Sequence, residues 1–368
     1  MALVLAAFFS CNKTDITYEP TGEIQIIPVN ENVTKSVMST NEFKGSEFMV
    51  WSWFNPAGAG TDVISTWQSG FTSNATSLYI NEQKFIEKSV KNRENVWGGV
   101  IPYFWPKTGS LVFAGYHAPD LTDEGDVTYT FNSTNNFMTF NDVEQVKVIE
   151  PDDTSEGTTQ TWKEDIMYFN MTPNSYNTTS GTVNLKFNHA LTWMSVTLSK
   201  KTNPEIEATI KIHDVWFTDV CTTGDGKVDG QSTIDWTEDM TTKADHYVLA
   251  NGDFELEYDK SGSQIQSVIV NLDDYLIIPQ TIYGSLKVRY SVTSSDNSTF
   301  TEVYTVDLRS LKEGSHNEWL PGKHYIYNIS IGTDELLVTP EVNNWEDKVT
   351  SILIPMPEVT PGQPGTNE

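Results

Sequence analysis

The stretch IPYFWPKTGSLVFAGYHAP, Ile101 to Pro119, gathers five aromatic residues around a Pro-Lys-Thr-Gly break. Residues of this kind serve either as a platform on which sugars stack or as the buried wall of a β-sheet. After the break, Leu111 and Phe113 alternate with Val112, Ala114 and Tyr116, which is the period of a strand. Pro106 to Gly109 reads as the turn of a hairpin joining two arms. Large aromatic side chains tend to bury themselves, so Trp105, Phe113 and Tyr116 are expected to close a core.

The same alternation recurs along the chain. GEIQIIPV, EFMVWSWF, TVNLKF, LTWMSVTLS, ATIKIHDVWF, SVIVNL, YLIIPQ, SLKVRYSV, TEVYTVDL and HYIYNISI are short apolar runs separated by Asn, Asp, Ser, Gly and Thr. So many strands at this spacing predict an all-β fold of sandwiches or barrels. Helical spacing is scarce. NEQKFIEKSVKNRENV, Asn81 to Val96, is the one helix candidate, and DLRSLKEG, Asp307 to Gly314, could form a short helical turn. The chain has 368 residues, more than the roughly 250 to 300 at which a single core stops growing. Two domains are therefore expected, divided near Gly181.

Fifty acidic residues against 23 basic ones give 23 − 50 = −27. That balance excludes nucleic acid as a partner and disfavours anionic lipid headgroups. Contacts between two copies must overcome like-charge repulsion, so they must rest on burial. Six dispersed histidines form no H-x-x-x-H or H-E-x-x-H pair, and no metal or other cofactor is expected. GDGKVDG, Gly224 to Gly230, lacks the order of a calcium loop and reads as a glycine-rich turn. No nucleophile-elbow, Walker or Rossmann pattern occurs, so an enzyme is not expected.

The opening MALVLAAFFSCNKTD is an apolar run of signal-peptide length, too short to span a bilayer as a helix, that turns polar after Cys11. A small residue before a cysteine at the end of such a run resembles a bacterial lipobox, which implies lipidation of Cys11. Cys221 is then left without a partner and reads as a small buried residue.

Further landmarks carry a family resemblance. YFWPKTGSLVFAGY resembles the Tyr/Trp-Pro-x-x-Gly-x-Leu-x-Phe-x-x-Tyr stretch of fimbrillins, the shaft and accessory subunits of type V pili. FNHALTWMSVTL, WLPGKHYIYNISI and TPEVNNW are similar to that family's later segments and follow in its order. The resemblance implies two transthyretin-like β-sandwich domains in tandem and export as a lipoprotein to the outer membrane and cell surface. It also implies that a protease removes the N-terminal strand after a basic residue, so that another pilus subunit, or a copy of this chain, fills the groove. Lys35 best matches the cleavage site, with Lys44 second. No Arg precedes Arg93, so an arginine-specific protease would find no site there.

On this reading residues 1–11 are the signal peptide ending at the lipidated cysteine, and 12–35 are the removable strand and connector. Residues 36–181 and 182–348 are the two sandwich domains, and 349–368 are a candidate donor strand with a flexible tail. In VTSILIPMPEV, Val349 to Val359, Ile352, Ile354 and Met356 share a face; with Leu353 they are the expected donor contacts, while Pro355 and Pro357 limit pairing to one edge. The alternative is a surface lipoprotein that binds host or bacterial glycans through exposed tryptophans, chiefly Trp67 and Trp97, with Trp51 and Trp53 also available. An extracellular glycosidase with paired carboxylates comes third.

Overall fold

A computed structural model of the chain describes residues 22–29, 47–55, 77–90, 93–106, 110–118, 127–130, 137–145, 165–174, 182–201, 208–229, 232–244, 247–259, 266–267, 270–272, 275–310, 317–332 and 336–344. Period-two runs of β-branched and aromatic residues form its strands. In chain order they begin with β1 (Gln25–Val29), β2 (Glu47–Asn55), β3 (Ser77–Val90), β4 (Arg93–Gly99) and β5 (Ser110–His117). Next come β6 (Val127–Thr130), β7 (Phe137–Glu144), β8 (Met167–Asn174), β9 (Thr182–Lys186) and β10 (Asn188–His189). The long strands β11 (Thr192–Lys200) and β12 (Thr209–Phe217) open the second half. The described residues are all-β apart from two three-residue 3-10 turns, one of them Leu308–Ser310, inside the segment expected to turn.

Eight strands make the first sheet, in the order β10-β8-β5-β2-β3-β4-β1-β9. One cluster of buried side chains draws on β1, β2, β3, β4, β5, β8 and β9 together, including Ile26, Phe48, Phe85, Trp97, Phe113, Phe169 and Leu185. The sheet therefore curls around its own core. Phe187, just after β9, meets Phe169 of β8 at 4.8 Å and Phe48 of β2 at 5.2 Å between ring centroids, bridging the curled halves.

The opposite face of β2, β5 and β8 is buried as well. Trp51, Trp53, Val112, Tyr116 and Tyr168 pack there with Val127, Met138 and Phe140 of β6 and β7. β5 is thus covered on both sides, which explains why its sequence is apolar at both parities. Two strands from the second half, Thr223–Val228 and Ile234–Glu238, add to β7 and β6 to complete a four-stranded sheet. A third core lies between the sheet of β11 and that of β12, with Met194, Ile212, Phe217, Val288 and Tyr327 among its members.

Several expectations change. Asn81 to Val96 is not a helix but lies in the antiparallel pair β3–β4. Val50 faces Gln83 while Ser52 faces Ile80, so Asn81 and Glu82 form a bulge, with Glu82 at φ 43°. That extra residue breaks the period of two and puts Ile80 and Phe85 in the same core. The two arms expected to pair across Pro106 to Gly109 do not pair with each other among the described residues: the arm before the break bonds to Gly22 and Ile24, while β5 pairs with β2 and β8. Gly224 to Val228 is strand rather than turn. A Cβ at Gly224 would lie 2.9 Å from the Thr237 carbonyl, so glycine there permits close strand approach. β9 begins just after Gly181 and joins the first sheet, and Cys221 is buried as expected.

Candidate assembly groove

β1 lies inside the first sheet rather than at its rim. It pairs antiparallel with β4, placing Ile26 opposite Trp97, and parallel with β9 along its whole length, from Gln25–Thr182 to Val29–Lys186. Ahead of it, Ile24 N–H donates to the Tyr103 carbonyl at 2.7 Å and Trp105 N–H to the Gly22 carbonyl at 2.6 Å. Ile24, Ile26 and Pro28 point inward, and both isoleucines are 0% exposed. Trp97, Val183, Leu185 and Phe187 line the space they fill.

Backbone direction adds a constraint. Successive N–H groups on a strand alternate between its two edges. Because the Ile24 N–H faces the β4 side, those of Gln25, Ile27 and Val29 face β9. Pro28, which has no N–H, shares the parity of Ile24 and falls beyond the last β4 partner, Ile26. Removing β1 would leave two facing strands each short of one neighbour and uncover an apolar trough between them.

The glycan alternative meets a different environment. Trp97 is 0% exposed, and Trp51 and Trp53 are buried against Tyr129 at 5.2 and 4.9 Å. None of the three indole faces is open to a sugar, because each is spent on a core. Trp105, Phe113 and Tyr116 are buried too, so the aromatics after the opening stretch's break act as wall rather than platform. Cys11, Lys35, Lys44, Trp67, Ile352, Leu353, Ile354 and Met356 lie outside the described residues.

One polar constellation was not anticipated. His213 lies on the outer face of β12 beside a bulge, where Nδ1 meets Asp253 Oδ1 at 2.5 Å and Nε2 meets Ser291 Oγ at 3.0 Å. The order is that of a hydrolytic triad, but the surroundings differ. Ser291 is 6% exposed, and its strand, Ser285–Thr293, is paired on both sides, which occupies the backbone amides an oxyanion would need. Lys211 Nζ also reaches Asp253, and the carboxyl is held below its ordinary range by hydrogen bonds from Lys211 and His213. The group ties three strands across one sheet face. Among the described residues no cluster of three or more His, Cys, Asp or Glu could hold a metal ion.

The family is decided by comparison with known proteins. A family model described as fimbrillin-like matches residues 55–345. The chain belongs to the fimbrillin-like family. This fimbrillin-like chain also shares its fold with the crystal structure of a fimbrial protein from Bacteroides vulgatus, at 16% identity. That match covers 88% of this chain and 99% of the other, with a TM-score of 0.55. The fimbrial anchor protein Mfa2 from Porphyromonas gingivalis matches at 10% identity over 88% of this chain and 97% of its own, with a TM-score of 0.32. No curated protein sequence matches.

Fimbrillin-like proteins are structural, fimbrial and adhesive in type. β1 was visible as a strand in GEIQIIPV; its partners were not, since nothing local in TVNLKF marks β9 as the parallel neighbour of a strand near the start of the chain.

Proposed function

We propose that this chain is a structural and adhesive subunit of a cell-surface pilus, exported as an outer-membrane lipoprotein through Cys11 and assembled by strand exchange. Its sheets compose two transthyretin-like sandwiches, the first completed by β1 and β9. Cleavage after Lys35 frees β1, and the C-terminal strand of a neighbouring subunit takes its place. The observation that carries this reading is the position of β1: an internal strand, buried on one face, in a sheet whose next strand follows a segment that contains Lys35.

The tail repeats the buried pattern of the strand it would replace. Ile24, Ile26 and Pro28 face the core in β1, and Ile352, Ile354 and Met356 recur at the same i, i+2, i+4 spacing. Burying each such side chain contributes about 1.5 to 3 kcal/mol. If the tail enters in the direction of β1, Pro355 and Pro357 take the places of Ile27 and Val29, whose N–H groups face β9. The donor then keeps its bonds to β4 and loses two to β9, so β4 is the edge along which it is held.

The test is to treat the purified full chain with a lysine-specific protease and follow fibre formation by electron microscopy and the new N-terminus by mass spectrometry. Chains starting at Ser36 should polymerise, and a variant lacking Val349 to Val359 should be cut and stay folded but form no fibres. Normal fibres from that truncation would reject the donor assignment. Fibres from uncut chains would reject the role of β1.

A further inference from the structure

The sheet of the second half runs Tyr247–Leu256, β12, Ser285–Thr293 and Thr299–Asp307, and the last of these is an edge strand. Proteins guard such edges with proline, lysine, bulges or a covering segment. The opposite edge, Tyr247–Leu256, is interrupted by two register shifts against β12. In the neighbouring sheet the edge strand Leu336–Asn344 carries Pro340 at its middle. Thr299–Asp307 carries no proline, lysine or bulge and, among the described residues, no covering strand. It reads TFTEVYTVD, pairs with Ser285–Thr293 through nine unbroken partners, and among the described residues has no neighbour on its other side. Phe300 and Val303 are 46% and 47% exposed.

We infer that this edge is a second, lateral contact between copies of this chain, in which two Thr299–Asp307 strands pair antiparallel about a two-fold axis through Val303. The choice of a second copy rests on charge and register. The ribbon from Ser285 to Ser310 carries Lys287, Arg289 and Arg309 against Asp296, Glu302 and Asp307, so 3 − 3 = 0 on a chain of net charge −27. The ribbon thus adds no net charge of its own to the repulsion between copies. In the two-fold register Val303 faces itself, Glu302 faces Tyr304, Thr301 faces Thr305, Phe300 faces Val306 and Thr299 faces Asp307. No two carboxylates meet, and side chains of similar character oppose one another. Sliding by one residue toward the N-terminal end of the strand would set Glu302 directly against Glu302. The free backbone groups of both copies are satisfied at once.

This contact needs neither cleavage nor strand exchange, so it is tested on the intact chain. In a Cys11→Ser background Cys221 is the remaining native cysteine, and it is buried. Val303→Cys should then form an intermolecular disulfide under mild oxidation, because the two copies of residue 303 are directly opposite. Phe300→Cys, comparably exposed, should not, since its own copy lies about 20 Å away along the paired strands. Sedimentation of the unmodified chain should show a reversible dimer, and Val303→Lys, which sets two ammonium groups face to face, should weaken it about tenfold or more with the melting temperature unchanged. A chain that stays monomeric at every concentration, a dimer indifferent to Val303→Lys, or equal cross-linking through residues 300 and 303 would overturn the assignment. Loss of protease-triggered fibres with the dimer intact would count against strand exchange and leave this contact standing.

Discussion

Gly115 shows how tightly one residue is specified in the stretch that decides the fold. It sits in β5, between Phe113 and Tyr116, where both faces of the strand are buried. A Cβ there would lie 2.2 Å from the Met49 carbonyl oxygen and 2.5 Å from the Phe169 ring. The first contact is with backbone of the neighbouring strand and cannot turn away. Its φ is not in the left-handed region, so space rather than conformation demands glycine. Gly115→Ala should therefore destabilise the chain by the 1 to 3 kcal/mol typical of an overfilled core, or more. Urea unfolding followed by tryptophan fluorescence measures this; a midpoint unchanged from the parent would mean that β2 and β8 can spread apart at no cost.

At the scale of elements, the outer face of β12 beside its bulge carries a cross-strand tie, with His213 and Lys211 meeting Asp253 from the adjacent strand. Those bonds hold the Asp253 carboxyl below its ordinary value. A depressed folded-state pKa gives stability that is present above the unfolded value of about 3.9 and lost as pH falls through the folded one. The stability gap between the parent and Asp253→Asn should accordingly be present at neutral pH and close as pH drops below about 4. Thermal melts across that range check it, and a gap that persists into acid would show that the carboxylate charge plays no part. Bulges also mark where sequence reading fails. Strands such as β11 and β12 announce themselves because alternation survives over most of their length. β3 does not: one extra residue at Asn81–Glu82 shifts Phe85 onto the face of Ile80, so the alternation that marks a strand is broken at the bulge. The groove was half legible for a related reason. Ile24 and Ile26 alternate plainly, but the identity of β9 and β4 as their neighbours is set by long-range pairing, and pairing leaves no mark on local composition.

For the whole molecule the governing conflict is between a net charge of −27 and the proposed function, which brings copies together. Two bodies so alike in charge repel at long range, whereas an apolar strand entering an apolar trough acts only at contact. Salt separates these effects. Raising ionic strength from about 0.01 M to 0.15 M shortens the Debye length from about 30 Å to 8 Å, which removes repulsion during approach and leaves untouched the burial proposed for Ile352, Ile354 and Met356. Protease-triggered polymerisation should therefore speed up across that range, with little change in how slowly finished fibres shed subunits. Light scattering gives the first rate and dilution into buffer of each salt concentration gives the second. If polymerisation instead slowed with salt, attraction between oppositely charged patches would be driving assembly, and the groove left by β1 would have to be recast as a site that aligns subunits rather than one that holds them.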